Sequence, residues 1–125
     1  MSIEEKKAFL LLKAVIFYYH GLDEEEENIL NDTADKHKAH TEKDWAISFV
    51  EEDEVSAFRR ARAFFMETIA TYGKDKKMEY LEMVWEDNDR KGYITEMEAT
   101  GMLKLAKDWG IQSDFLNLVR QKVSG

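Results

Sequence analysis

The chain of 125 residues contains no cysteine and no proline. Without cysteine it forms neither disulfide bonds nor thiolate metal sites. Without proline, and with Lys, Glu, Ala and Leu in plenty, its composition favours helices over strands.

Long hydrophobic runs are also missing. The longest one, Ala8 to Tyr19, is interrupted by Lys13 and is shorter than the roughly 20 residues needed to cross a bilayer. The segment Met1 to Lys7 carries two Glu and two Lys, and no small-residue cleavage site of a secretory signal follows it. We therefore expect no membrane insertion and a cytoplasmic location.

Positive charge is outweighed by negative charge, with 18 Lys and Arg against 26 Asp and Glu, a formal net charge of −8 and an isoelectric point near 4.9. Basic residues cluster only at 59–62 and 74–77, without the interleaved aromatic residues of a nucleic-acid platform, so we expect no nucleic-acid binding. The acidic runs Asp23 to Glu27 and Glu51 to Glu54 are typical of solvated helix starts, and binding of a cation or of a basic partner is the alternative interpretation.

Helix starts are marked by capping boxes, in which a short polar side chain bonds the amide three residues on and an acidic side chain reaches back. With 44% hydrophobic residues, the chain has enough apolar material for one core and one domain over residues 1–125. The boxes pair Ser2 with Glu5, Asp23 with Glu26, Thr41 with Asp44, and Thr95 with Glu98.

The spacing of apolar residues completes the prediction of an all-α bundle of six to seven helices packed antiparallel. The first helix is expected to run to His20 and to stop at Gly21. Further helices are predicted from Val55 to Tyr72, from Met78 to the approach of Asp87, from Thr95 to Trp109 with a stop at Gly110, and after Ser113.

A weak internal repeat relates the two halves of the chain. Duplication of a helical half explains it, and so does the chance similarity of two capped helices. The matched pairs are Leu22 with Ile94, Asp23 with Thr95, Glu26 with Glu98, and Ala34 with Ala106.

Residues 87–98 follow the twelve-position pattern of an EF-hand calcium loop, which supplies hard oxygen ligands between two helices. Calcium is therefore the cofactor that the sequence suggests. The candidate metal ligands are the carboxylates of Asp87 and Asp89 at positions one and three, the carbonyl of Tyr93 at position seven and the carboxylate of Glu98 at position twelve, with Gly92 at the sharp turn.

Lys91 occupies the fifth position of this loop, where an oxygen ligand is expected, and its ammonium would repel the ion. Glu98 is moreover explained as a capping residue. In the metal-free alternative, which we favour, Lys91 takes the place of the ion and bridges Asp87 and Asp89. If instead its ammonium swings out to solvent, a weak ion site is left.

Other candidate residues form no catalytic motif. His20, His37 and His40 could belong to a metal or acid/base site, but solvated or capping histidines explain them more simply. Since there is no nucleophile motif and no glycine-rich phosphate loop, we do not expect an enzyme.

The large apolar residues near the turn have two interpretations. Trp45, Trp85 and Trp109 are most simply core residues. Three methionines, Met78, Met83 and Met102, either fill the core or line an adaptable groove for a partner helix.

The helix number and the two turns of glycine, apolar residue and acidic capped helix resemble the TerB-like tellurite-resistance domains. That family places an Asp before the glycine, an apolar residue after it and a Glu about four positions on, once in each half. Leu22 with Glu26 and Ile94 with Glu98 match this motif, whereas His20 and Lys91 stand at the positions of the Asp.

The resemblance implies a cytoplasmic stress-response or scaffold domain that acts through partners. We therefore expect a non-enzymatic helical binding module whose protein partners dock on an acidic or Met-lined face. A calcium-binding protein that uses the single EF-hand-like loop is the alternative.

Overall fold

A computed structural model describes residues 1–18 and 22–124, and this part of the chain contains seven α-helices and no strand. The predicted all-α bundle of six to seven helices is thereby confirmed. None of the helices in these two ranges is long and apolar enough to span a membrane. The helices are α1 (Ile3–Phe17), α2 (Glu24–His37), α3 (His40–Glu52), α4 (Ala57–Glu67), α5 (Lys74–Arg90), α6 (Glu96–Asp108) and α7 (Gln112–Ser124), with a 3₁₀ turn at Ile69–Thr71.

Helix α1 is the centre of the bundle. Every residue from Ala8 to Phe17 is buried, Lys13 included, because α2, α3, α4, α5 and α6 all pack against this helix. The close approach of α6 depends on Gly101, since a β-carbon there would lie 3.3 Å from Cδ1 of Ile16. The apolar run that was too short for a membrane span is thus the core helix.

Several predicted helix boundaries are wrong. Helix α3 begins at His40 and not at the Thr41 box, because Lys38 turns the chain at a positive φ of 53° and Ala39 precedes the helix without a side-chain cap. Helix α4 begins at Ala57 and gives way to a 3₁₀ turn instead of continuing to Tyr72. Helix α7 begins at Gln112, ahead of Ser113.

Two boundaries bear on the candidate site. Helix α5 continues past Asp87 to Arg90, so the first carboxylates of the predicted calcium loop lie on a helix. Helix α1 ends at Phe17, and the predicted continuation through Tyr19 and His20 to a stop at Gly21 lies outside the described residues.

The internal repeat is visible in the helix positions. Helices α2 and α6 begin 72 residues apart, at Glu24 and Glu96, and α3 and α7 begin with the same separation. The connections agree as well: the amides of Ala39 and Ile111 donate to the carbonyls of Ala34 and Ala106, at 2.8 and 2.9 Å. The described chain thus has two halves of three helices each, α1–α3 and α5–α7, whose second and third helices begin at matching positions, and α4 joins the halves.

Candidate functional site

Two capping boxes face the same point between the halves. At the start of α2, Asp23 Oδ1 accepts the amide of Glu26 at 2.8 Å, and Glu26 Oε1 accepts the amide of Asp23 at 3.1 Å. At the start of α6, Thr95 Oγ1 accepts the amide of Glu98 at 3.1 Å, and Glu98 Oε1 accepts the amide of Thr95 at 3.0 Å. Each glutamate therefore uses one carboxylate oxygen as a cap and keeps Oε2 for another partner.

That partner is Lys91. Its Nζ donates to Oε2 of Glu26 at 2.9 Å and to Oε2 of Glu98 at 2.6 Å. The side chains of Lys91, Glu26 and Glu98 are 1%, 6% and 2% exposed, so three charged groups meet away from water. We call this cluster the lysine centre.

The electrostatics of the lysine centre favour a charged ammonium. Burial by itself would lower the pKa of Lys91, but the hydrogen bonds and negative charges of Glu98 and Glu26 outweigh it and raise this pKa above 10.5. The rings of Phe17 and Tyr93 lie 5.1 and 4.8 Å from Nζ and add cation–π attraction. Lys91 is thus the internal counter-ion of both capping glutamates.

The backbone turn after α5 sends the chain back toward the lysine centre. The amide of Lys91 ends the helix by donating to the carbonyls of Asp87 and Asn88, and Gly92 follows with φ of 92°. A left-handed φ of this kind favours glycine, which has no β-carbon. Gly92 therefore has the turn role that the sequence predicts for it.

A second buried lysine, Lys13, is the ion-pair partner of Asp87. Lys13 of α1 is 4% exposed, and its Nζ lies 2.7 Å from Asp87 Oδ2 and 2.9 Å from the Thr33 hydroxyl, to which it donates. Burial raises the pKa of Asp87, and the charge of Lys13 opposes this shift without cancelling it. The ion pair ties α1 to α5, and the Thr33 bond ties α1 to α2.

The four predicted calcium ligands do not meet as one ligand set. Asp87 pairs with Lys13, Glu98 pairs with Lys91, and Asp89 is exposed. Tyr93 packs its ring over Lys91 and donates its hydroxyl to Asp23 at 3.2 Å. Across residues 1–18 and 22–124, no three His, Asp or Glu side chains are grouped so that they could hold a metal ion.

The predicted Lys91 bridge to Asp87 and Asp89 is wrong. Lys91 does act as a counter-ion inside the fold, but its partners are the two capping glutamates, 65 and 7 residues away. Calcium binding at residues 87–98 would require Lys91 and Lys13 to release their carboxylates. It stays a prediction.

Sequence reasoning missed Lys13 and Glu26 as members of this arrangement. The match of Glu26 with Glu98 in the repeat was a usable signal, because it made Glu26 the counterpart of a glutamate that was already a candidate site residue. Lys13 offered another sequence signal, since a lysine inside an apolar helical run needs a hydrogen-bond or ion-pair partner in the interior.

His37 and His40 have other partners than the lysine centre. His37 packs edge-on against Phe9 at 5.4 Å between ring centroids, and burial, followed by the charge of Lys36, lowers its pKa. His40 Nε2 lies 2.6 Å from Asp35 Oδ1 at the surface. His20 is outside the described residues.

A groove of about 520 Å³ opens where the end of α5 meets the start of α6 and the end of α7. Trp85, Ile94, Ala99 and Val123 give it apolar walls. Three exposed carboxylates and one lysine surround them, and we call this feature the acidic groove. Its charged residues are Glu86, Asp89, Glu96 and Lys122.

The methionines of the turn region contribute little to the acidic groove. Met102 is fully buried, and Met78 and Met83 are partly buried against the core. Among the described residues, Met97 is the exposed methionine nearest in sequence to the groove, at 46% exposure. The acidic groove is therefore lined by carboxylates and by Trp85 rather than by methionines.

Comparison of the chain with protein-family models, with curated proteins and with solved structures finds no match in any of the three. The resemblance to TerB-like domains therefore stays a prediction.

Proposed function

We propose that this chain is a non-enzymatic helical module that binds a protein partner in the acidic groove. The partner segment would be a helix with an apolar face flanked by Lys or Arg. The observation that carries the proposal is a set of apolar walls bordered by the carboxylates of Asp89 and Glu96, which form no ion pair with any described side chain.

The apolar walls offer area that a partner can bury. Trp85 and Ile94 pack against the core with one side and remain half-buried, while Val123 is 73% exposed. Apolar side chains bordered by charged ones are typical of surfaces that receive an amphipathic helix. A partner that supplies apolar side chains would remove this surface from water.

The charges of the rim specify the partner. Asp89 and Glu96 form no ion pair with any described side chain. Glu86 does form one, with 3.2 Å between its Oε1 and Nζ of Lys122. A basic segment would supply the missing positive charge, and the net charge of −8 would speed its approach. The same charges would reject an acidic segment.

The lysine centre supports a binding role over a catalytic one. Lys91, Glu26 and Glu98 satisfy one another, and the side chain of Lys91 is 1% exposed. We therefore assign a structural role to the lysine centre: it holds the start of α6, and with it Thr95 and Glu96, beside the acidic groove. The stress-response role implied by the TerB-like resemblance, and calcium binding as the alternative function, remain predictions.

The test uses a helical peptide of leucine and lysine with all leucines on one face, titrated into ¹⁵N-labelled protein. We expect shifts of the Trp85 indole signal and of the Thr95 and Glu96 amides. Two further peptides serve as comparisons, one with glutamate in place of lysine and one with the same composition in scrambled order. Both are expected to bind at least about tenfold more weakly.

Ala99→Lys places a long cation in the acidic groove and should weaken peptide binding there, read from the Trp85, Thr95 and Glu96 signals, by at least about tenfold. Glu67→Lys on α4 adds positive charge outside the groove and should leave the affinity nearly unchanged. If the acidic-groove signals report equal affinities for Ala99→Lys and Glu67→Lys, or if they do not shift in the wild-type protein, the proposal is wrong.

A further inference from the structure

A second groove, of about 410 Å³, lies between α2 and α3. Its apolar side chains are Leu22, Leu30 and Ile47, of which Leu22 and Ile47 are only partly buried. Exposed carboxylates of Glu27 and Asp44 border it. We call it the α2–α3 groove.

The two grooves share two lining positions of the internal repeat. Leu22 and Glu27 line the α2–α3 groove, and 72 residues later Ile94 and Ala99 line the acidic groove. Both grooves therefore open beside the first turn of the helix that begins with a capping box. The opposite wall is residues 43–48 of α3 in the α2–α3 groove, whereas in the acidic groove it is formed by residues 85–89 of α5 together with Lys122 and Val123 of α7.

The rim of the α2–α3 groove is negative overall. Lys43, its lysine, donates to Oδ1 of Asn31 at 2.7 Å and lies 3.9 Å from Asp44 Oδ1. Glu27 forms no ion pair with any side chain of the described ranges. An occupant with positive charge next to an apolar face would therefore complement this groove as well.

We infer that the α2–α3 groove is a second docking site for the same kind of segment, so that one chain binds two basic amphipathic helices. The inference rests on the proposed function and adds to it a second binding surface and a stoichiometry of two helical segments per chain. A partner with two such helices, or two copies of one partner, would gain avidity from engaging both grooves.

Isothermal titration with the leucine–lysine peptide should show two peptides bound per chain. Amide signals of Leu22, Ile47 and Ser48 should shift together with those of the acidic groove. Glu27→Lys, at the position equivalent to Ala99, should reduce the stoichiometry to one and abolish only the α2–α3 shifts. Ala99→Lys should also reduce the stoichiometry to one, but abolish only the shifts of the acidic groove. Glu67→Lys should keep both sites.

The outcomes separate the two ideas. One bound peptide, with shifts confined to the acidic groove, overturns the second site and leaves the proposed function standing. One bound peptide confined to the α2–α3 groove, or no binding at all, contradicts the proposed function. A single peptide that shifts both sets of signals in wild-type protein also overturns the inference of two separate sites.

Discussion

Lys91 and Glu98 stand on opposite sides of the Gly92 turn, with 2.6 Å between Nζ and Oε2 and both side chains almost fully buried. The same carboxylate caps α6 through its other oxygen. Because Glu26 has the equivalent position on α2, one ammonium holds the starts of two helices together. In the lysine centre, the Lys91 side chain is therefore the counter-ion of two glutamates at the junction of the two halves.

Lys91→Met should destabilise the protein strongly. The substitution leaves the carboxylates of Glu26 and Glu98 buried together without a counter-ion, which costs about 3–5 kcal/mol for a broken buried pair. The free energy of unfolding, measured by urea denaturation at pH 7, gives the cost.

The matched control is Lys74→Met. Its ion pair with Asp114 spans 3.0 Å, but the two side chains are 64% and 44% exposed. Its loss should cost less than about 1 kcal/mol. Equal losses for the two variants would show that the lysine centre contributes no more than a surface pair.

Glu98→Gln should cost about 1–3 kcal/mol, because the amide has one oxygen for two donors. If that oxygen accepts the amide of Thr95, the NH₂ group faces the Lys91 ammonium; if it accepts from Lys91, the NH₂ group faces the amide of Thr95. Either arrangement leaves a buried donor without an acceptor. A simple capping role predicts a loss of only a few tenths of a kcal/mol, since glutamine also serves there.

Glu96→Gln provides the comparison for Glu98, because it changes an exposed carboxylate in the first turn of the same helix. Only its interaction with the helix dipole is lost, which is less than about 1 kcal/mol. Thermal melts of the two variants side by side test the difference. A Glu98→Gln protein as stable as Glu96→Gln would contradict the double role of Glu98.

Calcium should leave the thermal midpoint of the wild-type protein unchanged at millimolar concentration. Bound calcium would have to displace Lys91 from Glu98 and Lys13 from Asp87, and both lysines are buried with these partners. Isothermal titration provides a second measurement. Heat or stabilisation that depends on calcium and disappears in Glu98→Gln would instead support the calcium-binding alternative.

The pH dependence of stability should carry opposite contributions from two aspartates. Burial raises the pKa of Asp87 above 3.8, so the folded state holds more protons than the unfolded state, and this contribution falls as the pH rises from 3.8 through the folded-state pKa. The hydrogen bond from Ser56 lowers the pKa of Asp53, so its contribution grows as the pH rises toward 3.8.

Asp87→Asn should therefore make the slope of unfolding free energy against pH more positive just above pH 3.8, and Asp53→Asn should make it less positive below that value. Urea denaturation at closely spaced acidic pH values measures both slopes. Unchanged slopes in Asp87→Asn would rule out a raised pKa for this carboxyl.

Gly92→Ala should cost about 1–3 kcal/mol, because a residue with a β-carbon is strained at φ of 92°. No heavy atom outside the adjacent residues lies within 4 Å of the added carbon, so the cost is in the backbone and not in a clash. Gly92→Asn should lose less, since asparagine tolerates left-handed conformations better. Urea denaturation of the pair tests this order, and an equal loss for both variants would point to a cause other than φ.

Local sequence determined the helix starts at Ser2, Asp23 and Thr95, because a capping bond joins residues only three apart and depends on nothing beyond the first turn. It also determined the glycine turn at Gly92. The third predicted box at Thr41 failed because, after the left-handed turn at Lys38, Ala39 takes the cap position two residues before Thr41.

Tertiary structure alone decided which carboxylates the buried lysines would reach. In sequence, Lys91 lies nearest to Asp87 and Asp89, yet packing of the two halves brings Glu26 to it from 65 residues away. Lys13 then becomes the counter-ion of Asp87. A charge in the interior pairs with whatever group the helices bring within hydrogen-bond distance, since an unpaired buried charge is too costly, and a linear pattern does not contain that distance.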